Sequence, residues 1–224
     1  MELKKFNLLF IAGLLLLAAS CTRMKTEYYP NGKIQSQVSY RFGKEHGTAR
    51  YYENTYGKLE LALNFKNGKK EGKSLKYYLN NKVECESFYH NDLLEGRQIF
   101  YTPMNQPVME INFHKGLKEG PYREWYSGSD VLKVNGQYKN DMFDGHWEYH
   151  DERDIMVGEG DFKDGDGVLT SFDPNGRINR KTTYKNSLRD GPEYYYDLQG
   201  NVIKTVVYQE EHIVEIDGIK INEE

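Results

Sequence analysis

The chain has 224 residues, 30 of them basic and 34 acidic, for a net charge of −4. That mild acidity excludes a reader of the phosphate backbone, which needs a basic surface, so no nucleic-acid partner is expected. Apolar residues make up 38%, below the ~45–50% of ordinary globular chains, while 19 tyrosines and 21 glycines favour thin, half-exposed sheets over a thick aliphatic core.

Lys4 and Lys5 precede an apolar run from Leu8 to Ala19. The run is shorter than the ~20 residues that span a bilayer and reads as the core of a signal peptide over residues 1–20. It ends in Leu17-Ala18-Ala19-Ser20-Cys21, which resembles the lipobox of bacterial lipoproteins, with Ala18 where leucine is commonest. The resemblance implies cleavage before Cys21 and acylation of its thiol, then of its new amine. Several acyl chains anchor stably where a single one is marginal, so the lipid on Cys21 is the expected link to the membrane. Thr22-Arg23-Met24-Lys25 supplies no Asp after Cys21, which under the sorting rule for such lipoproteins implies the outer membrane. Loss of residues 1–20 removes Lys4, Lys5 and Glu2, so 30 basic and 34 acidic residues become 28 and 33, a charge of −5. Residues 21–27 read as a short tether. With Cys21 acylated, Cys85 has no disulfide partner, and lacking a local base it reads as a small buried hydrophobe.

From there on the chain repeats. An aromatic is followed seven residues later by glycine in Tyr40…Gly47, Phe65…Gly72, Tyr89…Gly96, Phe113…Gly120, Tyr138…Gly145 and Tyr184…Gly191. Phe162…Gly167 is the same unit shortened by two. Five residues after each glycine lies a ring: Tyr52, Tyr77, Tyr101, Trp125, His150, Phe172 and Tyr196. Turn sequences such as Pro30-Asn31-Gly32 and Asp173-Pro174-Asn175-Gly176 follow, because Asn and Gly tolerate φ > 0. Before each aromatic the strand alternates, with Val38, Ser36 and Ile34 on one face and Gln35, Gln37 and Ser39 on the other. A period of two means one buried and one wet face. The expected fold is all-β: an elongated single-layer antiparallel meander of about eight hairpin units of ~24 residues over 28–208. The unit over 149–167 looks eroded. A hairpin around Asp217-Gly218, denser in aliphatics than any repeat, is expected to cap the array over 209–224.

The pattern of Tyr28–Gly47, Tyr51–Gly72 and Phe172–Gly191 resembles the MORN-repeat variant. Met104-Asn105-Gln106-Pro107 departs from it by lacking the turn glycine. Proteins of this kind are often labelled the antitoxin component of a toxin–antitoxin module, which implies a protein partner; the wider family implies membrane-lipid binding and scaffolding.

Residues with chemical potential mostly follow the repeat. His90 and His114 sit one unit apart, ~10 Å, whereas ligands of one zinc lie within ~4 Å of each other. Their places elsewhere hold Arg41, Lys66, Lys139, Lys163 and Lys185. His146 and His150 lie ~13 Å apart on a strand. Glu71, Glu95, Glu119, Asp144, Asp166 and Asp190 recur with every unit, which suits turn formation and cross-strand pairing with the cationic row better than acid–base catalysis. Asp161–Asp166 lacks the spacing and closing Glu of a calcium loop. No catalytic motif, metal or cofactor is expected, so the protein reads as a non-enzyme. The simplest role of the rings is to fill the core. Their functional role is outward contact, and Tyr52, Tyr77, Tyr101, Trp125, Tyr126 and Tyr196 are the candidate binding residues. A protein partner is the first reading; glycans or lipid headgroups are the second, and an uncharacterised hydrolase the third.

Overall fold

The computed structural model describes residues 22–221. The signal sequence and Cys21 lie outside them, as do residues 222–224. Every regular element is a strand. The chain divides into two compact units, one ending at Leu94 and the other beginning at Glu95.

In the first unit β1 (Arg23–Tyr28), β2 (Ile34–Arg41), β3 (Lys44–Tyr52), β4 (Leu59–Lys66), β5 (Lys69–Lys70), β6 (Gly72–Tyr77), β7 (Val83–His90) and β8 (Leu93–Leu94) follow one another as an antiparallel meander. The second unit does the same with β9 (Gly96–Tyr101), β10 (Pro107–His114), β11 (Leu117–Trp125), β12 (Leu132–Lys139), β13 (Met142–His150), β14 (Met156–Lys163), β15 (Asp166–Phe172), β16 (Ile178–Lys185), β17 (Leu188–Tyr196), β18 (Val202–Gln209), β19 (His212–Ile216) and β20 (Ile219–Lys220). One expectation needs correcting. The stretch expected as a tether is itself a strand, because Arg23 to Tyr28 pairs with Tyr40 to Ile34 of β2. The hairpin expected near the C-terminus forms, with β19 paired to β18 and β20, and leaves Ile213, Ile219 and Ile221 exposed.

Period-two patterning places the cores as the sequence requires. In the first unit Val38, Ala49 and Leu63 are buried, with Tyr40, Tyr51, Leu61 and Phe65 packed against them. In the second, Val134, Trp147 and Phe162 are buried beneath Tyr122, Tyr138, Phe143, Tyr149, Leu169 and Tyr184. This aromatic core coincides with the unit that looked eroded. Trp147 stands 4.6 Å from Phe143, 5.1 Å from Tyr138 and 5.6 Å from Tyr122, ring centre to ring centre, and its indole N–H donates to the Gln137 carbonyl. Its space exists because Gly136 has no side chain: a Cβ there would lie 2.2 Å from the indole.

The two missing residues of that unit also have a structural meaning. In the complete units the pairing register slips near the hairpin, as between Ile111 and Phe113 or between Thr182 and Tyr184. The glycine after the slip has φ > 0, +98° at Gly120 and +66° at Gly145. Between β14 and β15 the register runs without a slip and Gly167 pairs directly with Phe162. The deletion therefore removes a β-bulge. Gly167 lacks the left-handed backbone; it is small because a Cβ would lie 2.4 Å from the Asp161 carbonyl oxygen and 2.7 Å from the Phe162 ring.

At the hairpin tips both central residues have φ > 0, as at Phe42-Gly43, Asn67-Gly68, Asn140-Asp141 and Asn186-Ser187, the geometry of type I′ turns. At the opposite edge the longer turns also repeat. Thr102 donates its N–H to the Gln106 carbonyl and accepts from Asn105, as Asp173 does with Arg177 and Gly176. Asn105, at φ +68°, stands in for the missing glycine, so the departure at 104–107 leaves the turn intact.

Trp147→Ala is expected to cost about 3–5 kcal/mol in urea denaturation followed by aromatic circular dichroism. Gly136→Ala is expected to cost about 1–3 kcal/mol by overpacking. A Gly136→Ala protein as stable as the parent contradicts this packing.

Candidate functional site

Aligning the units by their glycines shows that the residue two places on joins the apolar core in four of seven, at Ala49, Tyr122, Trp147 and Leu169, while Ser74 and Gln98 hold that place in two others. The rings five places on belong to neither core cluster. A shift in pairing register between the fourth and fifth places, as between Tyr51 and Tyr52 or Glu124 and Trp125, breaks the alternation that would otherwise fix their face. They are half-buried instead. Tyr52 donates its hydroxyl to Gln37 at 2.9 Å. Trp125 pairs with Leu132 across β11 and β12.

The candidate Tyr126 has a structural task. Its hydroxyl donates to the His150 carbonyl one repeat on, at 2.8 Å, as Tyr29 donates to the Tyr52 carbonyl at 2.7 Å. Where Asp, Glu or Thr holds this place the side chain caps its own turn: Asp173 accepts from the amides of Asn175 and Arg177, and Thr102 from those of Met104 and Gln106. Where Tyr holds it, another residue of the turn takes over the cap, as Asn31 does for Lys33 and Ser129 for Val131.

The acidic row serves the stacking of repeats. Glu71 accepts from the Asn91 amide, Glu95 from Lys115, Glu119 from Asn140 and Asp166 from Asn186, each 20 or 21 residues on. The Asn91 amide, first among the causes, holds the Glu71 carboxyl below the usual range. The expected cross-strand partnership with the cationic row appears within one hairpin at Lys185–Asp190 and between hairpins at His90–Glu71 and His114–Glu95.

One group of side chains departs from the repeat. Glu193 occupies the core place, two after Gly191, and is only 2% exposed. It pairs across the ladder with Thr182, where the corresponding pairs are Val38–Ala49 and Ile111–Tyr122. The Thr182 hydroxyl donates to it at 2.7 Å and the Tyr195 hydroxyl at 2.6 Å. The Arg180 guanidinium lies 4.0 Å away. Bonded to the carboxylate, the Tyr195 phenol is raised above its ordinary pKa. Arg180 and Tyr195 line a cavity of about 690 Å³ with Tyr149, Phe172, Asn179 and Tyr196. Of the expected binding residues only Tyr196 reaches it. Thr182, Glu193 and Arg180 escaped the reading of single motifs. Superposing the repeats at their second place after glycine exposes the anomaly: Ser74 and Gln98 are also polar there, but Glu193 alone brings a carboxylate.

Among the described residues no group of three or more His, Cys, Asp and Glu is arranged to hold a metal ion. Cys85 is buried and forms no disulfide. His146 has three carboxylates around it: Asp161 at 2.9 Å, Glu148 at 3.7 Å and Glu159 at 3.9 Å. The hydrogen bond that the ring donates to Asp161, more than the other charges, raises its pKa above 6.5. The stabilisation is therefore complete below the unfolded value and fades as pH rises through the higher folded value. Ring-proton NMR should find His146 titrating above the ordinary histidine range, and Asp161→Asn should bring it down. A His146 ring whose titration Asp161→Asn leaves unchanged contradicts the cluster.

The MORN repeat variant family model matches residues 25–41, 70–91 and 165–186. No curated protein matches the chain. Among solved structures the chain is similar to an alternansucrase in complex with isomaltononaose, at 15% identity and a TM-score of 0.16. That likeness covers 80% of this chain and 16% of the other; it is too distant to inform fold or activity. Three segments of this all-β meander of hairpins therefore match the MORN repeat variant.

Proposed function

We propose that the protein is a non-enzymatic repeat scaffold of the cell envelope, whose sheet binds another protein and whose lipid on Cys21 ties it to the outer membrane. One observation carries the binding role: the second unit repeats a half-buried ring at Tyr101, Trp125, Phe172 and Tyr196, outside the aromatic core. Tyr and Trp give large contact area for little lost conformational entropy, and a repeat array presents such contacts at a fixed spacing. The anchoring rests on the lipobox-like sequence at Leu17–Cys21. In an antitoxin-like form of this role the partner is a secreted toxin, and co-expression would protect cells from it.

Two measurements test the proposal. The full chain used as bait should retain a defined partner from envelope extracts, and a Tyr101→Ala, Trp125→Ala double variant with an unchanged melting profile should lose it. Equal recovery by both baits overturns the ring surface. Cys21→Ser should move the protein from the membrane to the soluble fraction. Retention in the membrane overturns the lipid anchor.

A further inference from the structure

The cavity lined by Tyr149, Phe172, Asn179, Arg180, Tyr195 and Tyr196 has a volume within the ~300–1,000 Å³ range of ligand sites. Its rings offer apolar faces. Its polar groups are few and already organised. Burying a carboxylate at Glu193 is costly unless it is paired, and a place held elsewhere by Ala49, Ser74, Gln98 or Trp147 has no structural need of a charge. What Glu193 does is fix Tyr195 through a 2.6 Å hydrogen bond and balance the charge of Arg180 at 4.0 Å. A free anion entering the cavity would meet a guanidinium whose charge is already neutralised. Arg180 still has N–H donors to spare, since its fork carries five. Asn179 adds a donor and an acceptor, and Ser171 adds a hydroxyl. Rings for C–H faces, spare donors and acceptors for hydroxyls, and no net charge describe the surface of a neutral sugar.

We propose that this cavity in the second unit binds a neutral saccharide, with Tyr196 and Tyr195 against its apolar faces and Asn179 and Arg180 bonded to its hydroxyls. Tyr195 and Arg180 are held for this by the buried Glu193. The site does not depend on the scaffold reading, and a protein partner on the ring row needs none of Asn179, Arg180 or Glu193.

Calorimetric titration of the full chain with N-acetylglucosamine, maltotriose and glucuronate, paired with tyrosine ring NMR, tests the assignment. At least one neutral sugar should bind saturably and shift the Tyr195 and Tyr196 rings first. Asn179→Ala, at an exposed position, and Tyr196→Ala should each weaken it about tenfold, the loss of one good contact. Glu193→Gln should turn preference toward glucuronate by leaving Arg180 unbalanced. Absence of saturable binding by both neutral sugars overturns the proposal. So does tighter binding of glucuronate by the parent protein, or affinity unchanged in Asn179→Ala. Partner capture unchanged in the Tyr101→Ala, Trp125→Ala variant, with sugar binding intact, would count against the scaffold reading alone.

Discussion

The structure depends on how each two-residue hairpin tip is hydrogen-bonded to the hairpin before it. A type I′ turn puts two residues at φ > 0, which costs a non-glycine residue roughly 1–2 kcal/mol, and it points both amides away from the hairpin's own ladder. Here the second amide donates backward to a main-chain carbonyl: Gly68 to Glu45, Asp92 to Lys70, Asp141 to Lys118, Gly165 to Phe143, Glu211 to Arg189. The first donates to the carboxylate of the acidic row. Where the second turn residue is itself acidic, its side chain returns a bond, as Asp92 does to Lys70 and Asp141 to Lys118. These tips are thus satisfied by their predecessors, which is the nearest-neighbour coupling that stabilises repeat arrays. It also accounts for the left-handed backbone of Lys115, whose amide donates to Glu95.

With the tips fixed, the strands are free to vary in what they bury. The first unit manages with Val38, Ala49 and Leu63. The second concentrates rings around Trp147, and there the backbone changes to suit them: Gly136 makes room for the indole and Gly167 for Phe162. The shortened unit is therefore an adaptation. Removing a bulge straightens the register between β14 and β15, which lets Phe162 lie over Gly167 and join the cluster.

Much of this was legible from aromatic and glycine spacing, because a strand period of two and a hairpin turn are local properties. The alternation behind Tyr40 named Val38 and Ser36 as inward, and both are buried. What escaped was set by partners one repeat away. Residues 23–28 carry no apolar alternation to mark a strand, yet pairing with β2 makes them β1. Tyr126 resembles a contact residue until the His150 carbonyl is found at the end of its hydroxyl. The acidic row could be assigned to the repeat, but its acceptor role depends on a turn amide some twenty residues on. The rings at Tyr52 and Trp125 escaped a face assignment because a register shift precedes each of them.

In such an array a residue the repeat requires says little about function, since stacking already accounts for it. Departures are informative in proportion to what they cost. The exchange of Gly for Asn105 costs little, because Asn adopts φ > 0 readily. The placing of a carboxylate at Glu193 costs far more, because a charge must be taken out of water and then satisfied by Thr182, Tyr195 and Arg180 together. Stability alone gives no reason to keep it, since apolar residues of similar size commonly replace buried ion pairs without loss. The expense falls where two of the same side chains, Arg180 and Tyr195, border the 690 Å³ cavity. A polar network that is costly to bury and opens onto a space able to hold a ligand is best understood as built for that ligand.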